Sequence, residues 1–194
     1  MKVRHVTWIV LVLFLLSPFA LASEVVQLHS NKYVFSFSLE SFHRAWKAIN
    51  QTLSAPFEHL SFSDPVTVPS RGRYIYASLT QSMRLTFQLD PHVDHITAIY
   101  LTASQPSSPF EVMVLHNSVA MLVSLLDHEI SEHAFDQILV PLQDEMIRTH
   151  VKHNRIIYIS FINNIHEFIL VMVPSQRNQP QDYIRQRIRT ELTQ

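Results

Sequence analysis

Twelve histidines and sixteen acidic side chains are spread over 194 residues, and three stretches bring them close together. Asp90, His92, Asp94 and His95 crowd one turn. Asp127, His128, Glu129, Glu132 and His133 crowd a second, and His150 and His153 stand three apart near a helix end. Imidazole and carboxylate together suit zinc, which takes about four ligands at short range. The candidate metal ligands are therefore His92, Asp94, His95, His150 and His153. None of them has a spacing such as H-E-x-x-H, which sets two ligands on one helix face. Solvated turns collect the same residue types, so a polar surface is the simpler reading, and no cofactor is implied. Acid–base chemistry would pair His95 with Asp94 or His133 with Asp136. Such pairs need a cleft that excludes water, and neighbours on a strand point to opposite faces.

The rest of the composition removes whole classes of chemistry. There is one glycine, Gly72, where average usage of about 7% would give about a dozen. Phosphate loops, dinucleotide folds and the nucleophile elbow all need glycines that let the backbone turn sharply or approach a ligand. There is no cysteine, so neither a thiol nucleophile nor a disulfide framework is available. These absences point away from the common enzyme classes.

At the N-terminus, Lys2 and Arg4 precede an apolar run from Val6 to Leu16, then Pro18 and Ala20-Leu21-Ala22. That order reads as a secretory leader cleaved before Ser23. The expected division is a leader at 1–22, a folded domain at 23–174, and a linker with a short helix at 175–194. The leader is short for a bilayer span, and no other segment reads as one. Loss of Lys2 and Arg4 takes the formal charge from −1 to near −3, too weak to suggest nucleic acid. An exported chain without cysteine fits the bacterial periplasm or secretion.

The elements that must position these residues follow from periodicity. Ser38 caps a helix with Leu39, Phe42, Trp46, Ile49 and Leu53 on one stripe. The stretch 56–72 reads as loop. Strands follow at 73–79, 83–89 and 96–101, the second with strict alternation. A helix at 110–126 turns Phe110 and Met113 inward. A second, capped by Ser131, runs through Pro141 to an inward Met146, with a kink at the proline. Strands at 156–162 and 168–173 join at Asn163-Asn164, and both of their faces are apolar. Ile184, Ile188 and Leu192 then stand one turn apart. The expected fold is α+β: one antiparallel sheet of about five strands, in the order α-βββ-αα-ββ-α, with helices packed against it.

The expected function is a small exported, non-enzymatic accessory protein of the bacterial envelope that acts through protein–protein contacts. An inhibitor, an immunity-type protein and an assembly chaperone fit equally. The partner is another protein or a second copy, with Ile184, Ile188 and Leu192 as the candidate contact stripe. The alternative is a divalent-metal-binding protein, or a metal-dependent hydrolase, built on the His and Asp loops.

Overall fold

A computed structural model describes residues 25–28, 32–53, 61–68 and 72–175. The segment expected to be a leader, 1–22, and the 184–192 stripe lie outside them. Two strands, β1 (Val25–Leu28) and β2 (Lys32–Phe35), form a separate antiparallel hairpin. Helix α1 (Leu39–Leu53) opens where Ser38 Oγ accepts from the Ser41 amide at 3.1 Å, as its sequence implies. Phe42, Trp46 and Ile49 are buried along its stripe.

The main sheet is antiparallel throughout. Its strands are β3 (Ser61–Phe62), β4 (Val66–Val68), β5 (Gly72–Ser78), β6 (Met83–Leu89), β7 (Ile96–Ser104), β8 (Thr149–His153), β9 (Ile156–Ile162) and β10 (Glu167–Pro174). Seven of them run in the order β3-β5-β6-β7-β10-β9-β8, with β4 also paired to β5. The α+β class therefore holds, and the strand number corrects the expected five or so. Two of the additional strands, β3 and β4, are short pieces in the stretch read as loop. Another is β8, whose sequence Thr-His-Val-Lys-His offers one apolar side chain and so no alternation to detect. β5, β6 and β7 are sequential neighbours, as are β8, β9 and β10. The two sets meet where β7 pairs with β10, Leu101 opposite Leu170.

Between the sets come helices α2 (Pro109–Leu126) and α3 (Glu132–Leu139). Ser108 Oγ accepts from the Glu111 amide and Ser131 Oγ from the Ala134 amide, each at 3.2 Å, and Pro109 occupies the first turn of α2. The expected proline kink does not form. Helix α3 ends at Leu139, and Val140–Leu142 tighten into a 3-10 turn that absorbs Pro141. Met146 then lies outside the helix and is almost fully exposed.

By length and composition α2 could cross a membrane, which corrects the reading that no segment after the leader could. Here it is a core helix, with Val119, Leu122, Val123 and Leu125 fully buried.

All three helices among the described residues pack on one face of the sheet. Phe42, Trp46, Phe87, Leu101, Leu122, Ile138, Tyr158 and Leu170 belong to this one core. Phe87 meets Phe42 edge-on at 5.0 Å between ring centres. The other face is divided. Over β5 and β6 it is polar: Tyr100 Oη donates to Gln88 Oε1 at 3.0 Å, Gln88 Nε2 donates to Tyr74 Oη at 3.3 Å, and Arg84 lies over the Tyr76 ring. Over β7, β10 and β9 it is a second apolar cluster of Ala98, Ile157, Ile159, Phe161, Val171 and Val173.

Candidate functional site

Two places on the described chain carry more than packing, one at each end of α2. The first is built on the residue that ends the helix. The Asp127 amide closes the last turn on Val123 O at 2.7 Å. Its side chain is 1% exposed, and a buried carboxylate is costly unless it is paired. The negative end of the helix dipole adds to that cost. Two groups from the β8–β9 turn answer it. His153 Nδ1 lies 2.6 Å from Asp127 Oδ2, and Asn154 Nδ2 donates to Oδ1 at 2.8 Å. Asn154 reaches this position with φ at 48°, a conformation that asparagine accepts more readily than most residues. The Tyr158 hydroxyl is wholly buried close by. Burial first, and then the Asp127 carboxylate, push its pKa well above the ordinary phenol value.

A histidine held at Nδ1 by a buried carboxylate presents Nε2 outward, the orientation a general base uses. Chemistry needs a further group beside it. Among the described residues, no three histidine, cysteine or acidic side chains lie close enough together to hold a metal ion. The arrangement fits a brace, tying the β8–β9 turn to the end of α2.

The other sequence candidates are placed apart. His150 and His153 share β8 rather than a helix end, and an odd spacing on a strand sends them to opposite faces. His92, Asp94 and His95 remain together in the β6–β7 turn, where Asp94 Oδ1 accepts from Arg73 Nη1 at 2.7 Å. His133 bonds Gln137 rather than Asp136. Asp136 acts instead on His116, whose ring meets Phe135 edge-on at 5.6 Å. Burial lowers the His116 pKa, and the Asp136 carboxylate opposes that shift. Ile184, Ile188 and Leu192 lie outside the described residues.

The second place is the opposite end of the sheet. The β5–β6 turn, the end of β7 and the start of α2 enclose a groove of about 560 Å³, within the range of ligand pockets. Its floor is Met83, Ala103, Val114 and Leu115, all buried. Its rim is polar, from Gln81, Ser82, Gln105, Ser107 and Glu111. Glu111 accepts from the Ser107 amide at 2.6 Å and from its hydroxyl at 2.8 Å, bonds that hold its carboxyl below the usual pKa. The sequence turned Phe110 and Met113 inward, whereas they are 64% and 46% exposed. Phe110 stands on the rim.

The β9–β10 turn and the loop after the 3-10 segment join this end. Gln105 donates its backbone amide to His166 O at 3.1 Å and its side chain to Glu145 Oε1 at 2.5 Å. His166 Nδ1 also lies 3.3 Å from Glu145 Oε2. These bonds hold Met146, 91% exposed, and Ile165, 68% exposed, at the same end of the sheet. The signal for this surface is ambiguous in sequence. Helix α2 is apolar all round, so periodicity does not say which apolar residues face water.

Comparison with known proteins finds no matching family model, no characterised protein similar in sequence and no solved structure similar in fold.

Proposed function

We propose that this is a small exported accessory protein that binds another protein at the sheet end bearing Phe110, Met113, Met146 and Ile165. The observation that carries this reading is the exposed Phe110 on the rim of a groove with an apolar floor, with exposed Met113 one turn along α2 and exposed Met146 and Ile165 beside Glu145 and His166, which bond the rim residue Gln105. Solvent-exposed apolar groups rimmed by polar ones mark interaction sites. Two of the four are methionines, whose flexible thioethers fit irregular partner surfaces. Export rests on the order of charges, apolar run and small residues at 1–22.

A photo-crosslinking side chain placed at 110 or 165, in the cells that make the protein, tests the docking surface. One defined partner is expected from both positions and none from position 93, an exposed valine at the opposite end of the sheet. Equal yields from all three sites would sink the assignment. Mass spectrometry of the mature protein tests export independently: a chain starting at Ser23 supports it, and an intact Met1 overturns it.

A further inference from the structure

With no cysteine, the sulfur chemistry of this chain is confined to thioethers. Five of its six methionines lie among the described residues, and they divide sharply. Met83, Met121 and Met172 are at most 5% exposed, Met113 is 46% exposed and Met146 is 91% exposed. The two accessible thioethers are the two on the proposed docking surface. Met146 is carried on a turn held by several bonds. Its amide donates to Asp144 Oδ1 at 3.1 Å, and the Ile147 amide closes the same turn on Asp144 O at 3.0 Å. The Asp144 amide bonds Val140 O at 3.0 Å, and the Glu145 side chain is held by Gln105 and His166. The backbone is fastened on both sides, while the side chain meets water over nearly its whole surface. A side chain that buries so little contributes little to folding, so the core gives no reason for a thioether at 146.

We propose that Met146 is a modification site, converted to its sulfoxide by a hydroperoxide ahead of the other four described methionines, and that the change weakens docking of the partner. The second half rests on the docking surface proposed above. The reaction balances without a cofactor. A sulfur lone pair attacks one peroxide oxygen, and the O–O bond breaks as the S–O bond forms. Sulfur is oxidised to the sulfoxide and the peroxide is reduced. The proton on the transferred oxygen passes to the departing oxygen, which leaves as water or an alcohol. Susceptibility follows exposure, so Met146 reacts first, Met113 second and the three buried methionines last. The product is polar where the thioether was apolar and adaptable. Inside a core that change disrupts packing, but at 146 it falls on the contact surface alone. A sulfoxide pressed against an apolar partner loses its water without gaining a donor, which costs affinity. The change is reversible, because methionine sulfoxide reductases restore the thioether. Export, as proposed above, would set the chain outside the reducing systems of the cytoplasm.

Peptide mapping by mass spectrometry, after timed exposure of the purified protein to hydrogen peroxide, tests the site. Sulfoxide is expected at Met146 first, with Met83, Met121 and Met172 at least about tenfold slower until the protein is unfolded in urea. Equal rates at all five, or Met113 ahead of Met146, overturn the assignment. The same protein with a photo-crosslinking side chain at 165 tests the consequence. Exposure is stopped when Met146 alone is oxidised, the peroxide is removed, and extract of the producing cells is then added. Crosslinking to the partner is expected to fall several-fold with circular dichroism unchanged, and to return after treatment with methionine sulfoxide reductase. In Met146→Leu it is expected to survive the same exposure. A Met146→Leu protein that loses its crosslink on exposure traces the effect to another residue and overturns the proposal. Loss of circular dichroism on oxidation makes the sulfoxide a lesion of the fold and overturns it as well. An undiminished crosslink overturns the effect on docking and leaves the docking surface standing. An untreated protein that captures no partner overturns the docking surface and the effect with it, and the mapping then decides the modification site by itself.

Discussion

The two ends of helix α2 are built on opposite principles. At its C-terminus a carboxylate is taken out of water and both of its oxygens are partnered by the β8–β9 turn. At its N-terminus apolar side chains are left in water beside a groove whose polar rim is already committed to internal bonds. Satisfied polar groups buried away from solvent hold a fold together, whereas unsatisfied apolar surface has something still to gain from contact. The difference makes one end a structural brace and leaves the other as the site of the proposed recognition, although the polar end has the residues that first suggest chemistry.

The sharpest way to break this contrast is His153→Ala. It leaves the Asp127 carboxylate buried with Asn154 alone, and stability is expected to fall by about 3 kcal/mol, read from the urea midpoint. A change within about 0.5 kcal/mol would show that the brace is ornamental. Next, Ser108→Ala removes the cap at the groove end and is expected to cost about 1 kcal/mol, with little effect at the brace. A smaller effect comes from His116, midway along the helix. Its pKa is lowered by folding, so its contribution is complete above the ordinary histidine value and is lost as pH falls below it. A modest loss of stability between pH 7 and pH 5, absent in His116→Gln, is expected in urea titrations. The smallest effect on stability belongs to Phe110→Ser combined with Met146→Ser, within about 0.5 kcal/mol because both side chains are exposed. The same pair is expected to abolish crosslinking to the partner from position 165, and retained crosslinking would move recognition elsewhere.

Where local pattern is strong, the sequence and the fold agree closely. The alternation from Met83 to Leu89 marks β6 at its observed bounds, and the stripe from Leu39 marks α1. The hairpin read at Asn163-Asn164 exists, but its left-handed residue is His166, with φ at 57°, while Asn163 Oδ1 accepts from the amides of Ile165 and Glu167. Misreadings occur where local pattern is silent. β8 has no apolar alternation, so its histidines read as the end of a helix. Asp127 and His153 are twenty-six residues apart and meet only because α2 and the β8–β9 turn reach the same end of the sheet. The two faces of the last hairpin were legible as apolar, yet only the assembled sheet shows that one is backed by helices, while the cluster on the other holds, among the described residues, only strand residues.

The single β7–β10 junction has a kinetic consequence. Each three-strand meander is stitched by short turns, so its pairings close over small loops. The junction joins Leu101 to Leu170 across a span that includes both later helices. Its closure entropy comes due before its contacts are rewarded, so the two meanders form early and their zippering sets the pace of folding.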